Sequence, residues 1–257
     1  NPLAGTSTAS RALYMTGKAT ELAAVNVRDN LLECMAEYFG VSAGELDLGD
    51  SKVFVLDNPE RCMSTKEMAK HCAAQGVHRH SLEIYRAPPS EGLDPETGQG
   101  EVFPDFTYGA HAAKVSVDID TGEVTVIKSV GAHDVGQSIN LRAVEGQIEG
   151  SALMGQGFAL SEELILEKGV LKNGSFSEYL IPTSEDVPEI ESIVLESRSG
   201  LGPFGSKGIG EPVFAPVAAS IVNAVADAIG TRIHDLPLTP EKVLAAVNAK
   251  QTQEAAE

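Results

Sequence analysis

Basic residues are scarce in this sequence of 257 residues. Lys and Arg together number 19 against 37 Asp and Glu, which gives a formal net charge of −18 and a sequence pI near 4.7. A nucleic-acid partner would require a broad surface of Lys and Arg, so this composition argues against one. Hydrophobic residues make up 42% and charged residues 22%, as in a globular protein with one large domain or two modest ones.

Cysteine is also scarce and does not occur in sets. Cys34, Cys62 and Cys72 show no C-x-x-C spacing, so the sequence predicts neither a disulfide framework nor a zinc knuckle, and it offers no cysteine set for an iron–sulfur cluster. We expect the three thiols to be buried as small apolar side chains. Such cysteine usage is typical of a reducing compartment, and we expect the protein to be cytoplasmic.

Long apolar runs are absent. No run approaches the ~18 residues that cross a bilayer, and no basic segment precedes an apolar stretch as in a signal peptide. We therefore expect a soluble protein with no membrane partner. The chain opens with Asn1, Pro2 and a small-residue loop, a start that indicates a chain cut from something longer.

Apolar periodicity and turn residues predict two helices with a strand between them in the first hundred residues. Thr8 or Ser10 is expected to cap the first helix. The predicted elements are a helix ending at Gly40, a strand at 52–56, and a helix that starts with the capping box Ser64–Glu67 and ends near Gly76.

The rest of the chain predicts a β-hairpin followed by glycine-rich and apolar helices. Residues 86–100 are rich in Pro, Gly and acids and form a long connection, so we predict two lobes, 1–98 and 99–257, in an α+β fold with helices packed on mixed or antiparallel sheet. The predicted elements are strands at 110–120, 123–130, 163–166 and 190–196, and helices at 142–160, 213–229 and from 239 onward.

The segment Gly205–Pro212 combines three glycines, one cation and one carboxylate just ahead of a predicted helix. Backbone N–H groups at such a junction hold anions, and a carboxylate there tends to be ionised, which is the state that a general base needs. The alternative is a glycine-rich turn in which Glu211 is an ordinary first-turn acid. A Walker loop is excluded, because Lys207 is not followed by Ser or Thr at the required place.

Two further segments have the composition of ligand-binding loops. In Glu145–Gly150 a glutamine, Gln147, lies between two glycines and can offer a donor and an acceptor to a polar ligand, and Gln156 follows further along. Close packing between helices is the alternative. The hydroxyls and amides of Thr6–Ser10 stand at the start of a long helix and suit a pyrophosphate, with simple N-capping as the alternative.

The histidines are weaker candidates. His78 and His80 flank Arg79 without a second pair of ligands, which favours a surface loop over a metal site. His133 precedes Asp134 at the end of a strand, but no nucleophile accompanies them, and we expect a structural hydrogen bond. The remaining histidines are solitary and are expected to be structural: His71, His111 and His234.

Five stretches, in order and spacing, resemble the C-terminal half of the molybdopterin-binding subunit in the molybdenum hydroxylases, the xanthine dehydrogenase and aldehyde oxidoreductase family. The likeness covers nearly the whole chain. The stretches are Thr8–Arg11; Thr107–Gly109 with Asp120–Glu123; Asp134–Asn140; Glu145–Gly150 with Glu162 and Glu163; and Gly205–Pro212. Leu141 departs from the family pattern, in which a proline follows the asparagine.

The resemblance implies roles for single residues. Glu211 corresponds to the glutamate that lies beside molybdenum and acts as base toward a metal-bound hydroxyl, and Gln147 to the glutamine that hydrogen-bonds the pterin. No residue is implied as a metal ligand. The loop holding the pterin or its nucleotide extension is Thr8, Ala9, Ser10 and Arg11, and the loop beneath the cofactor is Lys207, Gly208, Ile209 and Gly210.

The family also implies partners. In the family, the molybdenum subunit also has an N-terminal half, which is missing here. The family's [2Fe–2S] and FAD segments are missing as well, so partner chains are expected to supply all three. The expected cofactor is molybdopterin, with a cytosine dinucleotide form in a bacterial protein, and the expected reaction is hydroxylation of a purine, N-heteroaromatic or aldehyde. A non-catalytic scaffold of the same fold and an unrelated nucleotide-binding protein are the alternatives.

Overall fold

The computed structural model describes residues 5–89 and 91–255 and divides into two compact units. Among the described residues, the first unit contains 5–6 and 11–89. The second unit contains 7–10 and 91–255. Both units combine helices with sheet, so the α+β prediction is confirmed. The functional lobes predicted at 1–98 and 99–257 stay a prediction.

The first unit is a three-stranded antiparallel sheet with two helices. A π-helical segment, Ala12–Gly17, leads into the first α-helix, which Gly40 ends with a φ of 67°. The strands lie in the order β1-β2-β3. The elements are α1 (Lys18–Phe39), β1 (Leu46–Gly49), β2 (Lys52–Val55), β3 (Asn58–Ser64) and α2 (Thr65–Ala74).

Local sequence signals determine where α2 begins. Ser64 Oγ accepts the N–H of Glu67 at 3.3 Å, while the Glu67 carboxylate accepts the Ser64 hydroxyl at 2.6 Å and the Ser64 N–H at 3.3 Å, so the predicted capping box is confirmed. One side of the helix is buried against α1 and the sheet. The buried core of this unit is Leu32, Met35, Leu46, Val53, Val55, Met68 and Cys72.

The three cysteines are free thiols, but they do not share one environment. Cys72 is buried, Cys34 is half-buried and Cys62 is exposed, so the expectation of three buried thiols is wrong for Cys62. Cys62 lies on β3, whose side chains are mostly exposed. Burial and the neighbouring Cys34 raise the pKa of Cys72 to about 12, which makes this thiol inert as a nucleophile.

The second unit is built on a mixed three-stranded sheet in the order β4-β5-β8. β4 and β5 form the predicted antiparallel hairpin, and β8 lies parallel to β5. The elements are β4 (Gly109–Val117), β5 (Val124–Asp134), α3 (Leu141–Leu160), β6 (Leu166–Glu167), β7 (Val170–Leu171), β8 (Glu189–Leu195), α4 (Val217–Ile229) and α5 (Pro240–Glu254).

Helix α4 packs on β4 and α3 packs against β5, β8 and α4. Val217 and Ile221 of α4 are fully buried, and Ile148 of α3 is fully buried in a second cluster with Val213. Helix α5 adds Val243 to the first cluster. These contacts hold the start of α3 and the segment before α4 within the second unit, which also contains the end of β5.

Helix α4 begins at Val217, four residues later than predicted. Residues 212–216 form turns instead, in which the Phe214 N–H donates to the Glu211 carbonyl and the Val217 N–H to the Phe214 carbonyl, three residues apart and not the four of an α-helix. The strand predicted at 163–166 is also displaced. In its place Asn173 hydrogen-bonds the backbone of Glu163 and Ile165, and the short strands β6 and β7 follow.

Two histidines of the sheet lie against glycines on the neighbouring strand. His111 faces Gly131 and His133 faces Gly109 in the β4–β5 register. A Cβ at Gly131 would lie 2.5 Å from His111 Nε2, and a Cβ at Gly109 would collide with the His133 ring. The imidazoles therefore occupy the space that side chains on those strands would need.

Neither ring nitrogen of His133 hydrogen-bonds any described residue, and the same is true of His111. The structural hydrogen bond expected for His133 is therefore wrong. Its ring is fully buried beside His111, with ring centroids 5.1 Å apart, while the Asp134 side chain pairs elsewhere. Successive strand residues point to opposite faces, which separates the two side chains.

Within residues 5–89 and 91–255, no helix has both the length and the apolar character that a bilayer crossing requires.

Gly131→Ala tests the contact between histidine and glycine. The new methyl would lie 2.5 Å from His111 Nε2 and 2.9 Å from Ile148 Cγ2, so we expect a loss of about 1–3 kcal/mol in the free energy of unfolding, measured by urea denaturation. Gly92→Ala is the control, because its Cβ would meet nothing within 4 Å. Equal stability of the two variants would contradict the contact.

A second prediction concerns acid stability. Burial, and to a lesser degree the charge of His133, lowers the pKa of His111 from 6.5 to about 4. Between these values the unfolded chain binds a proton that the folded chain does not, so the free energy of unfolding should fall as pH drops from about 6.5 to about 4. In His111→Phe the slope over this range, measured by urea denaturation, should be smaller. An unchanged slope would rule out His111 as its source.

Candidate functional site

One pocket of the second unit contains both Gln147 and Glu211. Its volume is about 540 Å³. Both side chains are exposed, although 64 residues separate them in the sequence. Its walls come from α3 and from the segment before α4, namely Gly146, Gln147, Gly150, Ser151, Met154, Gly210, Glu211 and Phe214.

The glycines of α3 form two pairs with different surroundings. A Cβ at Gly155 would collide with Val217 of α4, and a Cβ at Gly157 would collide with Glu162, so these two glycines serve packing within the chain. A Cβ at Gly146 or Gly150 would meet no atom within 4 Å. The first half of α3 therefore presents bare backbone to the pocket, beside the Gln147 amide, which suits a flat polar ligand.

The segment Gly205–Gly210, the glycine loop, is held by residues distant in sequence. Ser10 Oγ accepts the N–H groups of Ile209 and Gly210 at 3.1 and 3.2 Å. Thr107 Oγ1 donates to the carbonyl of Gly208 at 2.9 Å. Two of the stretches that carry the family resemblance thus contact this loop directly.

Two glycines outside the glycine loop, Gly136 and Gly200, let their own backbone segments lie close to it. Gly136 has a φ of 66°, and a Cβ on it would collide with the carbonyl of Gly205. A Cβ on Gly200 would collide with the carbonyl of Ser206. The amide of Lys207 donates to the Val135 carbonyl at 2.8 Å, which joins the loop to the end of β5. Larger residues at 136 or 200 would force the loop away.

Lys207 of the glycine loop and Asp134 at the end of β5 form an ion pair that is largely shielded from solvent. The Nζ–Oδ2 distance is 2.7 Å, and the side chains are 5% and 14% exposed. Burial alone would raise the pKa of Asp134, but the hydrogen bonds from Lys207, Gly136 and Ser197 lower it to about 2. The carboxylate is therefore ionised over the whole physiological range. The Lys207 side chain contacts Asp134, whereas the neighbouring backbone of the loop reaches the pocket.

Residues Thr8–Arg11 differ in what they contact. Thr8 and Ala9 are exposed, and Ala9 has a left-handed φ of 47°, which is uncommon for a residue with a side chain. Ser10 contacts the glycine loop as described. Arg11 belongs to the first unit, where its Nη1 donates to the carbonyl of Thr6 at 3.1 Å. Thr8, Ala9 and Arg11 are thus the exposed members of this stretch, and Ser10 is half-buried.

The structure corrects two arguments made from the sequence. Glu211 precedes the first residue of α4 by six positions, so the helix dipole does not act on it as expected for a first-turn acid. Gln156 is buried and donates to the carbonyl of Asp186 at 2.9 Å, so it supports the fold and does not line the pocket.

His78, Arg79 and His80 are exposed, as expected for a surface loop. In the part of the chain that the structure describes, no three His, Cys, Asp or Glu side chains are grouped so that they could hold a metal ion.

Residues 1–188 match the family described as the molybdopterin cofactor-binding domain. The chain belongs to this family. The resemblance found in the sequence is therefore confirmed, and the chain is a molybdopterin domain that corresponds to part of a molybdenum subunit.

Known relatives agree with this assignment. The xanthine dehydrogenase molybdenum-binding subunit of Escherichia coli O157:H7 is 32% identical over 239 residues, which cover 91% of this chain and 30% of that protein. The molybdopterin domain thus spans about 30% of the length of this relative. The aldehyde oxidoreductase of Desulfovibrio desulfuricans ATCC 27774 superposes with a TM-score of 0.68 and 31% identity over 92% of this chain and 23% of its own.

Quinoline 2-oxidoreductase from Pseudomonas putida 86 superposes with a TM-score of 0.76 and 27% identity, covering 94% of this chain and 30% of that protein. The three relatives act, by their names, on different compounds. The two solved structures share the fold of the molybdopterin domain with this chain.

Gly150→Ala should stabilise α3 and, at the same time, cover the backbone that α3 exposes to the pocket. Alanine favours a helix over glycine by about 1 kcal/mol, and the new methyl meets no atom of this chain, so we expect a higher unfolding temperature. The methyl occupies the pocket, so molybdenum content of the assembled enzyme, measured by mass spectrometry, should fall. In the control Gly155→Ala, collision with Val217 should lower stability. Full molybdenum content in Gly150→Ala would show that the ligand lies elsewhere.

Proposed function

We propose that this chain contributes the catalytic glutamate and part of the cofactor site to a molybdenum-dependent hydroxylase. The observation that carries the proposal is the single pocket in which Glu211 of one segment and Gln147 of another are both exposed. The reaction is hydroxylation of an electrophilic carbon with oxygen derived from water.

The residues of the pocket suit molybdopterin. Gln147 offers an amide donor and acceptor beside the bare backbone at Gly146 and Gly150, as a flat heterocycle requires. Thr8, Ala9 and Ser10 are assigned to the phosphate or nucleotide end of the cofactor. Gly208 to Gly210 pass beneath it through their backbone.

Bound molybdopterin supplies a metal that accepts two electrons from the substrate. The task of Glu211 is to accept a proton from the oxygen nucleophile, which requires an ionised carboxylate within hydrogen-bond distance of that oxygen. Glu211 is exposed and lines the pocket, so its carboxylate is accessible to a ligand there. No described residue donates a hydrogen bond to this carboxylate.

Partners complete this function. A chain carrying the rest of the molybdenum subunit would close the pocket, and iron–sulfur and FAD subunits would take the electrons, in a cytoplasmic complex. The E. coli relative is named as one subunit of a xanthine dehydrogenase, which supports such an assembly. Purines, N-heteroaromatics and aldehydes are the substrate classes, and a cytosine dinucleotide is the proposed form of the cofactor.

A non-catalytic scaffold with the same fold is the second candidate. It would need the packing glycines Gly155 and Gly157, which contact other residues of this chain. It would have no use for an exposed carboxylate in the same pocket as Gln147 and the backbone of Gly146 and Gly150. The pocket therefore favours the catalytic function. A nucleotide-binding protein of another kind would lack molybdenum altogether, which metal analysis of the purified complex decides.

Glu211→Gln tests the proposed base. We expect turnover of the assembled enzyme to fall by about 10²–10⁴-fold, because the amide cannot accept the proton, while molybdenum content is unchanged. The control is Glu149→Gln, an exposed carboxylate on α3 outside the pocket, which should leave turnover intact. Full turnover in Glu211→Gln would favour the scaffold, and loss of molybdenum would assign Glu211 to cofactor retention.

A further inference from the structure

Lys207 and Asp134 stand out because a buried ammonium and a half-buried carboxylate pair away from the residues that line the pocket. Lys207 is 5% exposed and lies 2.7 Å from Asp134, with the Tyr108 ring 5.3 Å from its Nζ. Burying an ion pair gains little net stability, since the cost of removing both charges from water offsets their attraction. Fold stability alone does not account for this pair.

The Asp134 carboxylate is saturated with donors. Its Oδ1 accepts the N–H groups of Gly136 and Ser197 at 3.0 and 3.2 Å, and its Oδ2 accepts the Ser197 hydroxyl at 2.9 Å and the Lys207 ammonium at 2.7 Å. Each oxygen thus uses both of its lone-pair positions. One carboxylate links the end of β5, the segment after β8 and the glycine loop.

Every residue between Lys207 and Glu211 is fixed at its backbone. The Gly208 carbonyl accepts from Thr107, and the amides of Ile209 and Gly210 donate to Ser10. Among the described residues, none donates a hydrogen bond to the Glu211 carboxylate itself. The direction of that side chain therefore depends on the backbone of the glycine loop, whose other end is held by the ion pair.

We propose that the Lys207–Asp134 pair is a positioning device that holds the glycine loop so that the Glu211 carboxylate faces the reacting oxygen. The inference rests on the proposed function of Glu211. Neither Lys207 nor Asp134 touches substrate in this arrangement, and both act through the loop backbone. A displacement of about 1 Å at a reacting group costs on the order of 100-fold in rate, so a small movement of the loop has a large effect.

A double-mutant cycle in the assembled holoenzyme tests this role. Lys207→Met removes the ammonium and keeps most of the side-chain volume. We expect kcat to fall by about 10- to 100-fold with KM changed by less than about threefold and with molybdenum retained. In the Glu211→Gln background the same substitution should change the residual single-turnover rate by less than about threefold, because the group it positions is already gone.

If Lys207→Met lowered the rate by the same factor with and without Glu211→Gln, the proposal would be overturned. A purely structural defect acts independently of Glu211, so the two rate losses would simply multiply. The proposed function fails separately, if Glu211→Gln alone retains full turnover. Lys172→Met is the matched control, since it removes an exposed ammonium paired with Glu167 in the same unit, and it should leave kcat unchanged.

Hydrogen exchange gives a readout that does not depend on turnover. In Lys207→Met the amides of Ile209 and Gly210 should exchange at least about tenfold faster, while the amides of α4 stay as protected as in the wild type. Unchanged exchange in the glycine loop would overturn the proposal.

Asp134→Asn provides a second variant if Lys207→Met loses molybdenum. The amide oxygen of asparagine still accepts from Gly136 and Ser197, so the end of β5 keeps its hydrogen bonds while the charge facing Lys207 is removed. The same cycle with Glu211→Gln then decides the question. Loss of molybdenum in both variants would make the pair an element of cofactor binding or folding and would overturn the positioning role.

Discussion

The arrangement of the site depends on one ionised carboxylate, Asp134, placed at the end of a strand. Its four hydrogen bonds reach Gly136, Ser197 and Lys207, which belong to three separate segments of the second unit. Because these donors lower its pKa to about 2, the charge that attracts Lys207 persists throughout the physiological pH range. The glycine loop is shaped by this centre on one side and by the hydroxyls of Ser10 and Thr107 on the other.

Glycine has two different functions in this fold, and composition does not distinguish them. At Gly136 and Gly155 the absence of a side chain lets another part of the chain come close, and at Gly146 and Gly150 it leaves backbone open to the pocket. The sequence predicts that something approaches α3, since four glycines weaken it as a helix. Whether that neighbour is Val217 or a ligand depends on tertiary packing, which the spacing of glycines does not encode.

The sequence predicts an element well where a local signal is strong. The capping box at Ser64 and the alternating hairpin of β4 and β5 are such cases, because the residues that form them interact within a few positions. Strand β3 was not predicted, since its side chains are mostly polar and exposed and only pairing with β2 makes it a strand. A long-range partner likewise explains the error at His133, whose ring packs on Gly109 of the neighbouring strand.

The same reasoning explains why a resemblance spread over several short stretches was informative. Thr107 binds Gly208, Ser10 binds Ile209, and Asp134 binds Lys207, so residues far apart in sequence converge on one loop of six residues. A turn that merely connected β8 to α4 would need none of these contacts, because exposed loops satisfy their backbone with water. Burying a cation and an anion to hold such a loop is reasonable only where its position matters, and the exposed side chain that directly follows it is Glu211.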